Sequence, residues 1–190
     1  MKGNKRVGPL KLQQKMLNRT KKPLTILGYV ACVSALLYAV PHLWWGMGIS
    51  VAFPDEYKSF SDDIWLVAIG FGVMGFIAIL AALFALSFIK SWGQRFPRFI
   101  PLTLGWIGSI GLTFWGLGFF YLRFFIEIDR AISPPQFIYQ DLNVHLIIWG
   151  YIWYSLFLVW GISLGLTVLN YQKESLVQNG RANKSMFIDR

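Results

Sequence analysis

Four long stretches without a single Asp, Glu, Lys or Arg dominate this sequence: residues 24–49, 64–89, 99–122 and 146–169. Each exceeds the roughly 20 residues that carry a helix across about 30 Å of hydrocarbon. Inside a bilayer the backbone must satisfy itself, which leaves helices and closed barrels. None of the stretches alternates with period two, so a barrel is excluded. The reading is all-α: a polytopic integral membrane protein with four transmembrane helices in one antiparallel bundle. Residues 1–23 form a basic tail, 24–170 the transmembrane domain, and 171–190 a second tail.

Composition agrees. A soluble domain carries about a quarter charged residues, whereas here they are 14%, with 55% hydrophobic residues and a mean hydropathy of +0.49. The net charge of +9 is not spread evenly. Lys2, Lys5, Arg6, Lys11, Lys15, Arg19, Lys21 and Lys22 precede the first run with no acid among them. Basic charge beside a span is a topogenic signal, so the expected partners are membrane lipids, with anionic lipid at this tail and no nucleic acid. The tail either forms a short interfacial helix through Leu10, Leu12, Met16 and Leu17 or stays solvated and only fixes orientation. The first run is far longer than the apolar region of a secretory signal and ends in no small-x-small site, so it is expected to be retained.

The connections set the orientation. Residues 50–63 hold Asp55, Glu56, Asp62 and Asp63 against Lys58, while 90–98 hold Lys90, Arg95 and Arg98 without an acid. Residues 127–141 are mixed, and the segment after 170 is again basic. The alternation puts both termini in the cytoplasm of a multi-pass cell-membrane protein.

Each run has a face of small residues. Gly28, Ala31, Ala35, Ala39, His42 and Gly46 recur at steps of three and four in the first run, as do Phe71, Gly75, Ala78, Ala82 and Ala85 in the second. Gly105, Ser109, Leu112, Gly116 and Arg123 align in the third; in the fourth, Gly161 and Gly165 form a GxxxG with Gly150 and Tyr154 on its face. Such spacing lets helices approach closely where lipid gives no hydrophobic drive. The GxxxG serves equally well within one chain or in a homodimer. Gly70-x-Gly72-x-x-Gly75 imitates a dinucleotide fingerprint, but no strand precedes it and no acid follows at the required distance. It reads as a packing segment.

Polar groups inside a membrane are functional candidates, and this chain holds few. No Asp, Glu or Lys lies in any run, which counts against proton-coupled transport through an intramembrane carboxylate. His42 sits on the small-residue face of the first run, after Pro41, with Tyr38 and Trp45 flanking it. Pro41 lacks the N–H that would bond the Leu37 carbonyl, so a bend is expected there. Arg123 and Glu127 share a line at the corresponding end of the third run. A ligand pocket of His42, Trp45, Tyr121, Arg123 and Glu127 at the extracytoplasmic end is the sharper reading. The plainer one is an Arg snorkelling to headgroups beside an aromatic belt, with His42 as a packing residue.

His42 and His145 at similar depth would suit a b-type haem. Their distances from the helix ends differ, however, and His145 faces away from the small residues of its run. No cofactor is therefore expected. Cys32 is the only cysteine, so an internal disulfide, a Cys-x-x-Cys centre and cysteine-based zinc are excluded. Trp44, Trp45, Trp65, Trp149 and Trp153 read as interfacial anchors. No catalytic triad, phosphate loop or metal-ligand spacing is present, so no catalytic residue is assigned.

The segment His42-x-x-Trp45-Gly46, in a four-span chain with a glycine-rich third run, resembles a family of small bacterial integral membrane proteins of unknown function. The resemblance covers residues 24–170. It implies the same architecture and supplies no mechanism. The expected function is a non-enzymatic membrane component that binds a lipid or small ligand or docks a protein partner. The alternatives are an enzyme acting on an outer-leaflet lipid or quinone, with His42 as acid/base and Arg123 on an anionic headgroup, and a small transporter.

Overall fold

The structure, a computed structural model, describes residues 9–49, 51, 64–127 and 144–188. Four helices carry the fold: α1 (Pro9–Gly46), α2 (Ile64–Ser87), α3 (Phe99–Glu127) and α4 (Val144–Ile188). A short 3-10 helix (Ser91–Arg95) joins α2 to α3. Within them, Thr25–Gly46, Trp65–Ser87, Phe99–Phe125 and Ile148–Leu176 are long and apolar enough to cross a membrane. The described residues are helical throughout apart from turns, with no strand among them.

Two helices outrun their apolar stretches. α1 begins at Pro9, so its 38 residues reach about 57 Å at 1.5 Å per residue. α4 runs on to Ile188. Nucleation is the costly step in helix formation, and each span has already met it. The residues before and after the spans include Leu, Lys, Gln, Met and Glu, which extend a helix at little cost. The basic tail is thus continuous with α1 from Pro9 onward, and Pro23 and Pro41 both lie within the helix.

Helix contacts run in the order α2, α1, α4, α3. Each contacting pair is antiparallel, because partners rise along one helix as they fall along the other. Gly28 meets Ile89 while Gly46 meets Ala68, and Gly105 meets Val168 while Gly116 meets Leu158. Across α1 and α4, Tyr38 faces Trp160 and Trp45 faces Trp153. α2 and α3 meet at few residues, near their connection, where the Phe88 ring reaches Gly105.

The core is built from small residues. Ala31, Ala35 and Ala39 of α1 pack with Ala78, Ala82 and Ala85 of α2, and Phe88, Trp160, Leu164 and Val168 complete the cluster. Alanine at these positions lets the two backbones close until packing, not side-chain length, limits the approach. Between α3 and α4 the same role falls to glycine. A Cβ on Gly161 would stand 2.8 Å from the Thr113 backbone nitrogen, and one on Gly165 would collide with the Ser109 hydroxyl. That hydroxyl donates to the Gly161 carbonyl at 2.8 Å, a buried hydrogen bond between helices. The GxxxG is therefore used within this chain. Of the three glycines in the α2 segment, only Gly75 packs, against Leu43 and the Ala39 carbonyl; Gly70 and Gly72 face open space.

At the end opposite the 3-10 helix, called here the loop end, α1 stops in a Schellman turn. Gly48 takes φ 84°, its N–H bonds the Trp45 carbonyl, and the Ile49 N–H bonds the Trp44 carbonyl. Glycine has no Cβ penalty in this conformation. The turn brings the Val51 carbonyl back over the helix end, where the Trp44 and Trp45 indole N–H groups both donate to it, at 3.1 and 2.9 Å.

Candidate functional site

The site grows from the turn around Pro41. Proline removes one backbone N–H and crowds the preceding turn, which loosens the carbonyls at i−3 and i−4. Tyr38 is the i−3 residue, and the His42 ring donates from Nδ1 to the Tyr38 carbonyl at 2.9 Å. A carbonyl only accepts, so Nδ1 carries the proton. In the neutral ring Nε2 then holds the lone pair.

Aromatic rings hold the imidazole in place. Tyr38 lies 4.0 Å away between centroids, Trp45 4.7 Å and Phe71 5.9 Å. Trp45, only 3% exposed, is itself fixed by Val51, by an edge contact with Phe71 and by one with Trp153 of α4. His42 is 7% exposed. Among the described residues its Nε2 has no hydrogen-bond partner.

His42 forms part of the wall of a groove of about 380 Å³ between α1 and α2. The other walls are Tyr38, Leu66, Val67, Gly70, Phe71 and Met74. The volume lies in the range of small-molecule sites, and mostly apolar walls with two polar side chains, His42 and Tyr38, are their usual make-up. Gly70 opens the groove, since a Cβ there would meet nothing within 4 Å. A second groove, of about 460 Å³, lies between α1 and α4 along Val40, Pro41, Trp44, Trp153 and Leu156. Ser155 is the only hydroxyl-bearing side chain in its wall.

The residues expected to form one pocket separate. His42 lines the α1–α2 groove, and Trp45 is buried against His42 and Phe71 without lining it. Arg123 packs on the far side of α4, its guanidinium 5.9 Å over the Tyr151 ring and its Nε sealed without a partner among the described residues. Tyr151 and Trp153 are two residues apart on α4, so they face nearly opposite ways. α4 thereby stands between His42 and Arg123. Tyr121 is 63% exposed and lies against Phe125 on the outward surface of α3. The side chains of Glu127 and His145 lie outside the described residues, as do the acids of the α1–α2 connection.

Sequence reasoning missed the α2 half of the groove, Leu66, Val67, Gly70 and Met74, because nothing in their types separates a groove wall from a lipid-facing surface. It also missed Trp160. This ring is 5% exposed, 6.1 Å from Tyr38 between centroids, and its Nε1 has no hydrogen-bond partner among the described residues. Among the described residues no cluster of three or more His, Cys, Asp or Glu is arranged to hold a metal ion. No protein-family model, curated protein or solved structure matches the chain.

Proposed function

We propose that this chain is a four-span bundle of the cell membrane, with both termini cytoplasmic, that binds a lipid-dissolved ligand in the α1–α2 groove at its extracytoplasmic end. The observation that carries the reading is His42, a buried side chain in the wall of a largely apolar groove, whose Nε2 has no hydrogen-bond partner among the described residues. Burying such a group without a partner is unfavourable, and an ionisable side chain kept within a span is a functional candidate by default. The fixed tautomer and the ring cage add to this, because a side chain held by Tyr38, Trp45 and Phe71 is pre-organised for a partner. The charge alternation of the connections supports the orientation.

Two measurements test the reading. Cysteine placed at Ser59 is expected to label with an impermeant reagent in intact cells, and cysteine at Ser91 is not; reversed labelling would move the groove to the cytoplasmic side. Mass spectrometry of gently solubilised protein is expected to find a lipid species enriched in the wild type and depleted in Gly70→Leu, which fills the groove. Identical lipid profiles would remove the groove as a site.

A further inference from the structure

The hydrogen bonds of His42 specify what kind of ligand the groove takes. We infer that its occupant is an apolar molecule carrying a single hydroxyl, which donates to His42 Nε2. The inference rests on the binding reading above and narrows it.

The argument is one of donors and acceptors. Nδ1 is committed to the Tyr38 carbonyl, so the neutral imidazole offers the groove a lone pair and no proton. A ligand whose polar end only accepts, such as an ether, an ester or the carbonyl of a quinone, meets that lone pair with its own. A hydroxyl meets it with a proton. The remaining walls are Tyr38, whose phenol is the other polar group, and Leu66, Val67, Gly70, Phe71 and Met74, which suit a chain or ring; none offers a charged side chain to a phosphate or carboxylate. A ligand that only accepts leaves the His42 lone pair unanswered even where it bonds the Tyr38 phenol, a loss that a hydroxyl avoids. Arg123, the cation that would hold an anionic headgroup, is not part of this wall and packs against Tyr151 instead. A hydrogen bond in a medium without water faces no competition from solvent, so its presence or absence discriminates strongly between otherwise matched ligands.

The hydroxyl can come from an aliphatic alcohol or from a phenol, and matched pairs distinguish them. The full chain, carrying His145→Gln so that His42 is the only histidine, is placed in lipid nanodiscs with 15N-labelled imidazole. It is titrated with dodecanol and its methyl ether, and with dodecylphenol and its methyl ether. We expect at least one hydroxyl compound to bind roughly tenfold tighter than its ether, the size of one hydrogen bond, and to move the Nε2 resonance upfield. A preference confined to the phenol pair assigns a ring-bearing ligand, and one confined to the dodecanol pair an aliphatic one. His42→Phe, which keeps a ring but removes Nε2, should erase the preference while binding persists. Gly70→Leu should abolish binding of all four compounds. Equal binding within both pairs, lost in Gly70→Leu, would overturn the hydroxyl assignment and leave the groove as a site. Binding unchanged in Gly70→Leu would mean that the compounds sit elsewhere, and the site reading itself would fall.

Discussion

Glycine does opposite things in two parts of this molecule. Between α3 and α4, Gly161 and Gly165 are places where another atom already stands: the backbone of Thr113 and the hydroxyl of Ser109. Along α2, Gly70 and Gly72 have nothing within reach of a Cβ. The first pair closes an interface, and Gly70 opens a groove. What glycine contributes in a membrane is therefore set by what the neighbouring helix places against it.

Substitution separates the two roles. Gly161→Leu should have the largest effect, because its side chain must displace Thr113 and the Ser109 carbonyl from the α3–α4 contact. A loss of about 3 kcal/mol is expected, read as a lowered unfolding midpoint in detergent or as loss of a monodisperse species. Ser109→Ala removes the buried bond to the Gly161 carbonyl without adding bulk, and should cost about 0.6 kcal/mol, the average measured for such bonds in membrane proteins. Gly70→Leu should change stability by no more than about 0.5 kcal/mol, the scale of a surface substitution, while emptying the groove of its ligand. Comparable destabilisation by Gly161→Leu and Gly70→Leu would erase the contrast. A Ser109→Ala effect larger than that of Gly161→Leu would mean that the hydrogen bond, and not close approach, holds α3 to α4.

Much of the fold is legible in the residues. The four uncharged runs lie in the four helices, apart from residues 47–49 and 88–89 just past the ends of α1 and α2, and the small-residue stripes of α1 and α2 are buried where their spacing puts them, at Ala31, Ala35, Ala39, Ala78, Ala82 and Ala85. Partner choice is less legible, since a stripe of alanine or glycine accepts any smooth surface and does not name its neighbour. The order of contacts α2, α1, α4, α3 comes from the way the whole set fits together. The reach of α1 back to Pro9 was also hidden, because hydropathy locates a span and not the polar turns that extend it.

The site was half visible. His42, flanked by Tyr38 and Trp45 after a proline, is a local pattern that a helical wheel resolves, and its cage contains both neighbours. The pairing with Arg123 was not resolvable, since depth along two helices says nothing about what lies between them. Here α4 does, with Tyr151 turned to Arg123 and Trp153 to Trp45. Gly70 and Gly75 illustrate the same limit within one helix. Five residues place them about 140° apart on the helical wheel, one at the groove and the other against Leu43.

The central claim, that the α1–α2 groove is a binding site and not a stretch of ordinary lipid-facing surface, is tested most directly by photolabelling. A diazirine-bearing fatty alcohol is reconstituted with the full chain, irradiated, and its adducts are mapped by peptide mass spectrometry. The account predicts adducts concentrated on Leu66, Phe71 and Met74, saturable by dodecanol and lost in Gly70→Leu. Adducts spread evenly over outward residues of all four helices, such as Val33, Ile77, Phe114 and Ile162, and indifferent to competitor would contradict it.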